Sequence, residues 1–254
     1  MSEPLLAVDR LSRSFGTLVV LAGLDLSVAA GGIHAIIGPN GAGKTTFFNL
    51  VTGALSPDSG RIRFGGSDIG HLPAYRRTAL GICRTFQNIR LFGSMTALEN
   101  VLLGLHCRTR GGLLAPLLDV PFRRSSGEVA ARARAVAVLE MVGLAAKAHQ
   151  MAVELPYGEQ RRLEIAHALA SAPRLLLLDE PSAGMNPQET LELVALISQV
   201  NRRGVTILLI EHKMSLVMKL SKIVTVLNFG QKIAEAAPAE IQRDPRVIEA
   251  YLGS

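Results

Sequence analysis

The sequence contains no tryptophan, and its 254 residues include only three tyrosines and eight phenylalanines. Few aromatic rings are therefore available to stack on bases, which is the usual contact in single-strand recognition. The formal net charge is +6, but the basic residues are scattered, are mostly arginine and never form a run longer than two. Such a dispersed charge is typical of a solvated surface, favourable beside an anionic membrane leaflet. We predict no nucleic-acid partner.

Cysteine is also scarce. Cys83 and Cys107 lie far apart, with no histidine at metal-ligand spacing, so we expect buried apolar thiols in a reducing, cytosolic setting. The first ten residues carry an acid where a secretory signal has basic residues. The longest mainly apolar region, 18–37, is interrupted by Asp25, His34 and several glycines. We therefore expect neither a signal peptide nor a membrane-spanning helix.

Glycine, by contrast, is plentiful, and three glycines fall in one short segment. Residues 38–45 read Gly-Pro-Asn-Gly-Ala-Gly-Lys-Thr, which fits the phosphate-binding template G-x-x-x-x-G-K-[ST]. The apolar run 33–37 before it predicts a buried strand, and 46–51 after it predicts a helix. This is the strand, loop and helix context in which backbone amides bind a polyphosphate. We predict that the loop binds a nucleotide.

The loop and the start of the next helix supply the candidate phosphate contacts. The predicted residues are Gly38, Asn40, Gly41, Gly43, Lys44, Thr45 and Thr46. Lys44 is expected to reach the β- and γ-phosphates, and the Thr45 hydroxyl is expected to ligate Mg²⁺.

A pair of carboxylates follows a second apolar run. Four consecutive leucines at 175–178, bounded by charged residues, predict a central parallel strand that is covered on both faces. Asp179 and Glu180 then emerge at its carboxyl end. We predict that Asp179 holds Mg²⁺ through its water shell and that Glu180 accepts a proton from attacking water.

The segment 5–26 alternates weakly between apolar and polar residues, which predicts short antiparallel strands with a turn at 14–16. Phe15 lies at that turn, and its ring is expected either to stack on adenine or to pack in the core. Further strands are predicted at 61–64 and from Ile82 to Gln87.

Between about 95 and 144 the pattern becomes helical, with an irregular link at 111–116 and Pro121. The expected apolar face of this region consists of Val129, Ala133, Val136, Ala137, Met141 and Leu144. A helix is predicted at 159–170. The region therefore predicts a helical insertion in the nucleotide-binding fold.

After the carboxylates, helices and strands alternate. Helices are predicted at 188–201 and 213–220, and strands at 205–210 and 223–228. This alternation predicts an α/β fold with a doubly wound sheet, whose site lies at the carboxyl ends of the strands.

Five segments after the phosphate loop stand in a fixed order. They are Gln87, residues 155–160 (Leu-Pro-Tyr-Gly-Glu-Gln), Asp179-Glu180-Pro181, residues 182–186 (Ser-Ala-Gly-Met-Asn) and Ile210-Glu211-His212. In that order they resemble the Q-loop, signature, Walker B, D-loop and switch histidine of ATP-binding-cassette ATPases. The resemblance implies a single P-loop NTPase domain over 1–254. Its RecA-like and antiparallel β lobe would comprise about 1–87 and 171–254, and its helical lobe about 88–170.

The resemblance also implies roles for these residues. Gln87 would sense Mg²⁺ and a membrane subunit, and His212 would orient the γ-phosphate and the attacking water. ATP would be held between the phosphate loop of one subunit and the signature of another, here Tyr157, Gly158 and Glu159. Pro156 offers neither a hydroxyl nor an N–H, so we expect the amides from Tyr157 onward to bind phosphate. Asn186 departs from the aspartate of many D-loops.

Four longer segments, at 84–92, 157–166, 211–218 and 250–253, resemble the ATP-binding subunits of bacterial branched-chain amino-acid importers. This implies an ATPase, with ATP and Mg²⁺, that drives separate transmembrane permease subunits from the inner face of the membrane. It implies a homodimer, or a heterodimer with a related ATPase, and an indirect periplasmic substrate-binding partner.

Two alternatives stay open within the cassette family. One is the ATPase subunit of a lipid or lipopolysaccharide exporter. The other is a soluble cassette in DNA repair or translation, although the chain has neither a long coiled-coil insertion nor a second cassette. A simple P-loop kinase or GTPase has no use for the signature or His212.

Overall fold

The computed structural model describes residues 3–106 and 126–252. The chain divides into two compact units, one running to Gln87 and resuming at Arg174, and the other comprising Asn88–Pro173. Cys107, Pro121 and the predicted link at 111–116 lie outside the described residues.

The first unit begins with an antiparallel sheet. Its strands are β1 (Leu6–Phe15), β2 (Leu18–Val28), β4 (Ser59–Phe64) and β5 (Ser67–Asp68), in the order β2-β1-β4-β5. Phe15 pairs with Leu18, so the hairpin turn consists of Gly16 and Thr17. The predicted antiparallel strands are confirmed, although Ser14 and Phe15 belong to β1 rather than to the turn.

The second sheet carries the site. Its strands are β3 (Ile33–Ile37), β6 (Ile82–Arg84), β7 (Leu175–Asp179), β8 (Thr206–Ile210), β9 (Ile223–Asn228) and β10 (Gln231–Ala236), in the order β10-β9-β3-β8-β7-β6. Only β10 runs antiparallel to its neighbour among these pairs. Every residue of β3, β7 and β8 is buried, which explains their unbroken apolar runs. β6 ends at Arg84, before the predicted Gln87.

The helices of this unit lie between and after those strands. They are α1 (Lys44–Thr52), α2 (Ala74–Leu80), α6 (Pro187–Arg202), α7 (Met214–Leu220), α8 (Pro238–Ile241) and α9 (Pro245–Leu252). Asn186 caps α6, because its side chain accepts the Glu189 amide and the Glu189 carboxylate accepts the Asn186 amide, both at 2.9 Å. Asn186 thus fixes the start of the helix that follows the predicted D-loop.

The core of this unit anchors the helix after the phosphate loop. Phe47 and Phe48 of α1 are fully buried, in one cluster with Leu6 and Ile62 of the antiparallel sheet and Leu208 of β8. Burial of two phenylalanines contributes several kcal/mol, at about 1.5–3 kcal/mol each. The start of α1 is therefore held in a fixed position against the core.

The second unit is helical. Its elements are α3 (Ala97–His106), α4 (Ser126–Met141) and α5 (Tyr157–Ala170), with short 3₁₀ turns at Ala145–Lys147 and Ala152–Glu154. α3 approaches α5 closely, since a Cβ at Gly104 would lie 2.3 Å from the His167 carbonyl oxygen. No helix in the described part of the chain is both long enough and apolar enough to span a membrane.

The predicted apolar face of α4 is wrong in part. Val129, Ala133 and Ala137 are exposed, although Leu144 beyond the helix is buried as expected. The helix instead buries Ala135 and Leu139. Alanines recur throughout α4 and fit helical spacing on more than one face, so the sequence pattern alone did not select the correct one.

Candidate nucleotide-binding site

The phosphate loop joins β3 to α1, and its glycines are required by the backbone. Gly38 and Gly43 have φ angles of 148° and 96°. A Cβ at Gly38 would lie 2.0 Å from the Leu227 carbonyl oxygen, and one at Gly43 would lie 2.7 Å from that of Val20. Gly41 also has a positive φ, 79°, but faces open space. The glycines therefore allow both the turn and the close approach of neighbouring strands.

The start of α1 offers backbone donors. The Phe47 amide makes the first intrahelical bond, to the Gly43 carbonyl at 2.9 Å. The amides of Lys44, Thr45 and Thr46 come earlier in the helix and have no acceptor within it. Thr45 is exposed and Thr46 half-buried, as expected of residues that face a ligand. Such a helix start, with its positive dipole end, favours a phosphate.

Lys44 itself is buried and folded back over the loop. Its Nζ donates to the carbonyl oxygens of Gly38 at 2.7 Å and Pro39 at 2.8 Å. Burial lowers the pKa of Lys44, while the nearby Glu180 and Asp179 act to raise it. The lysine thus lies close enough to both predicted carboxylates for their negative charges to raise its pKa.

The two carboxylates stand at the end of β7, on the same sheet edge as the phosphate loop, because Asp179 pairs with Ile210 and Ile210 with Ile36. Asp179 is buried, and its Oδ2 accepts a hydrogen bond from Arg84 at 2.7 Å. Glu180 has a φ of 47°, a left-handed conformation that is uncommon for a residue other than glycine. Strain of this kind is often found at functional sites.

The structure brings together the three predicted catalytic residues. Glu180 Oε2 accepts from Gln87 Nε2 at 3.0 Å, and Glu180 Oε1 accepts from His212 Nε2 at 2.8 Å. Both carboxylate oxygens are therefore bound by residues that the sequence pattern places in separate motifs. A carboxylate held between an amide and an imidazole is well oriented to accept a proton.

Glu211, to which the sequence pattern gave no role of its own, is buried beside His212. Its Oε2 accepts the His212 amide at 3.0 Å, and its Oε1 accepts the Ser182 hydroxyl. Burial raises the pKa of Glu211, and these hydrogen bonds oppose that rise. Lys213 Nζ donates to the Ser182 carbonyl at 3.1 Å from the other side. The signal in the sequence that could have identified Glu211 is its position as a charged residue directly after the apolar run of β8.

The predicted magnesium ligands are chemically suited to that ion. Thr45, Gln87 and Asp179 offer oxygen atoms, the ligands that Mg²⁺ prefers. Within the described residues no group of three or more His, Cys, Asp or Glu side chains forms a metal cluster. Mg²⁺ does not need one, since it usually takes one or two carboxylates and completes its shell with phosphates and water. The donor set therefore fits Mg²⁺ delivered with a nucleotide.

The predicted signature residues begin α5 in the helical unit. The amides of Glu159 and Gln160 both donate to the Pro156 carbonyl at 2.9 Å, whereas those of Tyr157 and Gly158 precede these bonds. The Glu159 carboxylate pairs with Lys147 Nζ at 2.6 Å. Of the three predicted residues, Tyr157 and Gly158 thus keep amides that point out of the helix start, and Glu159 uses its own within the unit.

Tyr157 is fixed by a buried ion pair one turn further along α5. Its hydroxyl accepts from Arg161 Nη2 at 3.1 Å, and Arg161 Nη1 donates to Glu164 at 2.8 Å. Arg161 is fully buried. The pattern of the sequence did not assign Arg161 or Glu164, because an Arg and a Glu three residues apart on a helix are usually a surface pair.

Phe15, the candidate adenine contact, is accessible rather than part of the core. Its side chain is 45% exposed, and the Arg13 guanidinium lies 5.0 Å from the ring centroid. One face of the ring is therefore in contact with a cation, and much of the rest is open. This favours the stacking alternative over the core alternative, and its role stays a prediction.

The sequence of this chain matches the models of two known protein families. The family model described as ABC transporter matches residues 21–183, and a second model, described as branched-chain amino acid ATP-binding cassette transporter, matches residues 231–254. The first match spans more than half of the chain and includes the phosphate loop, Gln87, the signature and both carboxylates. The chain belongs to the ABC transporter family of ATP-binding proteins.

Individual relatives show which members of this family the chain resembles. The chain is 47% identical to the high-affinity branched-chain amino acid transport ATP-binding protein BraF of Pseudomonas aeruginosa and 45% identical to LivG of Escherichia coli, which bears the same description. Both matches cover 100% of this chain and 99% of the relative. The lipopolysaccharide export ATP-binding protein LptB of Acidithiobacillus ferridurans is 35% identical over 100% of this chain. The predicted resemblance to amino-acid importer subunits is confirmed.

Solved structures agree on the fold. The ADP conformation of an ATP-binding cassette of an ABC transporter superposes with a TM-score of 0.86 at 31% identity, covering 100% of both chains. A dimeric cassette in a post-hydrolysis state, bound to ADP and phosphate, gives a TM-score of 0.77 at 25% identity and covers 92% of this chain and 98% of that one. The predicted fold class, a P-loop NTPase domain with antiparallel β and helical parts, is confirmed.

Proposed function

We propose that this chain hydrolyses MgATP and, as one of two cassettes in a complex, drives a membrane permease that imports branched-chain amino acids. The observation that carries the proposal is the joint hold of Gln87 and His212 on Glu180. Two polar residues from separate segments bind the carboxylate of a third beside a phosphate loop, an arrangement that serves hydrolysis.

In this proposal Glu180 is the general base. Its carboxylate accepts a proton from the water that attacks the γ-phosphate, while Gln87 and His212 keep it oriented. General-base assistance of this kind is typically worth about 10²- to 10⁴-fold in rate. Lys44 leaves the loop carbonyls to contact the β- and γ-phosphates, and the amides of residues 41–46 surround them.

Thr45 and Asp179 would hold Mg²⁺, with Gln87 near it. When bound, the ion supplies charge neutralisation at the phosphate oxygens. Phe15 would stack on the adenine ring, which its exposure supports. Because aromatic stacking on a base is worth about 1–3 kcal/mol, this contact would contribute to affinity more than to chemistry.

The signature would act on a second subunit. Tyr157 and Gly158 present amides at the start of α5, and a helix start is an anion site. In our proposal they contact the γ-phosphate held by the partner cassette, which is either a second copy of this chain or a related chain. The dimeric cassette with ADP and phosphate supports this arrangement.

Import of branched-chain amino acids is supported by the relatives and by the match at 231–254. The proposed complex also contains transmembrane permease subunits and, indirectly, a periplasmic substrate-binding protein, with this chain on the inner face of the membrane. The relative in lipopolysaccharide export supports a second candidate, but at 35% identity against 45–47% it is the weaker one.

Uptake measurements test the proposal directly. In a strain lacking this gene, we expect uptake of radiolabelled leucine, isoleucine and valine to fall and to be restored by the unaltered chain but not by Glu180→Gln. Lysine uptake should not change. Normal leucine uptake in the deletion strain, with defects in the outer membrane instead, would favour the export candidate.

A further inference from the structure

Arg84 is a buried charged residue that the proposed chemistry leaves unused. It is the last residue of β6, and its side chain is only 7% exposed. One guanidinium nitrogen, Nη2, donates to Asp179 Oδ2 at 2.7 Å, and the other, Nη1, donates to Asn49 Oδ1 at 2.5 Å. Arg84 therefore connects the end of β7 with the helix that follows the phosphate loop.

Two aromatic rings also contact this guanidinium. Its Cζ lies 5.5 Å from the ring centroid of Phe48 and 5.2 Å from that of Phe86. Both distances fall within the range of a cation–π contact. With two hydrogen bonds and two rings around it, the guanidinium has little freedom to change its orientation. The Asp179 carboxylate that it binds is restricted in the same way.

Asp179 needs such a partner. The residue is 2% exposed, and an ionised carboxylate at that depth is costly unless it is paired and hydrogen-bonded. Lys44 contributes charge from nearby, but its Nζ binds the loop carbonyls of Gly38 and Pro39 and, in the proposed function, turns from them to the phosphates rather than to Asp179. Arg84 is thus the direct countercharge of Asp179, and its bond to one oxygen, Oδ2, leaves Oδ1 for other contacts.

We propose that Arg84 is a positioning residue for the metal site: it holds the Asp179 carboxylate in a fixed orientation so that the carboxylate can receive Mg²⁺ with the nucleotide. The proposal rests on the proposed MgATP hydrolysis and extends it to a residue that has no role in that proposal. It assigns no contact between Arg84 and the nucleotide. An arginine is suited to the task because its rigid planar fork holds two acceptors in a fixed geometry from separate nitrogens, whereas the donors of a lysine share one nitrogen on a flexible stem.

Two substitutions separate positioning from simple charge. Arg84→Lys keeps the charge but loses the fork, and Arg84→Met removes the charge. If Arg84 positions Asp179, both variants should require about tenfold to hundredfold more Mg²⁺, as is usual when a partner of a metal ligand is lost. If Arg84 only repelled the cation, Arg84→Met would need less Mg²⁺ and Arg84→Lys would be unchanged, which would overturn the proposal.

The measurement is a Mg²⁺ titration of binding, with a fluorescent N-methylanthraniloyl ATP as the probe. Without Mg²⁺, the affinity of each variant should stay within about twofold of the parent, because the phosphate loop is intact. Arg63→Met is the matched control, since that arginine is exposed and pairs with Asp9 at 2.9 Å, away from the site. Arg63→Met should leave both the Mg²⁺ requirement and the affinity without Mg²⁺ unchanged.

Asn49→Ala keeps Arg84 and removes only its second anchor, so it should shift the Mg²⁺ requirement in the same direction by a smaller factor. This variant carries the test if thermal unfolding shows that the Arg84 variants are not folded. If the folded variants have an unchanged Mg²⁺ requirement, the proposed role of Arg84 is overturned, whereas the proposed function is not. If the unaltered chain binds no ATP, the proposed function fails first, and the role of Arg84 fails with it.

Discussion

His34 is a buried histidine in β3, the strand that leads into the phosphate loop. Its Nε2 lies 2.8 Å from Thr225 Oγ1, which in turn donates to Glu235 Oε2 at 2.7 Å. Burial lowers the pKa of His34 to about 4, with Glu235 opposing and Lys232 adding to this effect. The ring is therefore neutral in the folded chain at neutral pH.

This neutral histidine predicts a loss of stability in acid. A histidine with a folded pKa of about 4 and an unfolded value of about 6.5 favours folding fully above the unfolded value. That contribution is lost as pH falls from about 6.5 to about 4, because the unfolded chain binds the proton more tightly. At about pH 5 the loss amounts to about 2 kcal/mol.

Urea unfolding of the parent and of His34→Gln, at about pH 7 and about pH 5, measures this contribution. The parent should lose about 2 kcal/mol more than the variant between the two conditions. His71→Gln, at an exposed position of the same unit, should behave like the parent. Equal acid sensitivity of the parent and His34→Gln would show that this ring does not stay neutral in the folded chain.

Residues in short motifs could be predicted from the sequence, whereas their supporting partners could not. Lys44 and the Asp179-Glu180 pair follow buried strands at fixed spacing, so a local pattern identifies them. Arg84 bonds to a residue 95 positions later, and Glu211 bonds to Ser182, 29 positions earlier. Such partners are set by strand order in the sheet, which a single sequence does not display.

At the level of elements, α1 depends on an arginine from α2. Arg77 is 1% exposed, and its guanidinium donates to four carbonyls. Nη1 binds those of Leu50 and Val51 near the end of α1, Nη2 binds that of Gly70, and Nε binds that of Leu72. A cation at a helix C-terminus also complements the helix dipole. Arg77 thus caps the helix whose other end begins at the predicted phosphate loop.

Arg77→Met is expected to destabilise the chain by about 3 kcal/mol, since it leaves several buried carbonyls without their charged donor. Arg76→Met, at the adjacent exposed position of α2, should change stability by less than about 0.5 kcal/mol. Urea unfolding of both variants, compared with the parent, measures the difference. Equal stabilities for the two variants would mean that the cap contributes nothing that water cannot replace.

Helices and strands could be predicted where burial on both faces produces an unbroken apolar run in the sequence. The leucine run of β7 predicted a central strand and the apolar run of β8 predicted a strand, and both are confirmed. The sheet-edge strand β10 and the helix α2 were missed, because edge strands and short surface helices carry few apolar residues. β10 reads Gln-Lys-Ile-Ala-Glu-Ala, and its pairing with β9 supplies the stability that its composition does not indicate.

At the scale of the whole molecule, the predicted nucleotide contacts are divided between the two units. The phosphate loop, both carboxylates and His212 belong to one unit, and Tyr157 and Gly158 begin a helix of the other. In our proposal a complete site requires the signature of a partner cassette. Dimer formation should therefore depend on ATP, and it should persist for as long as the ATP is not hydrolysed.

Glu180→Gln is expected to trap that dimer. The glutamine can still bond to Gln87 and His212, but it cannot take a proton from water, so turnover should fall by about 10²- to 10⁴-fold while binding persists. Size exclusion with light scattering in MgATP should show the mass doubling. Glu240→Gln, on α8 and exposed, should turn over ATP at the parent rate. A Glu180→Gln chain that stays monomeric and hydrolyses ATP at the parent rate would rule out Glu180 as the base.

Adding Gly158→Asp to Glu180→Gln tests whether the signature holds that dimer together. A carboxylate at the start of α5 would place a negative charge where the amides of Tyr157 and Gly158 are proposed to receive the partner's γ-phosphate, and like charges repel. The double variant should therefore remain monomeric in MgATP. It should still bind the fluorescent ATP, because Lys44 and the phosphate loop are unchanged. A double variant that dimerises as readily as Glu180→Gln would mean that this helix start does not meet the nucleotide.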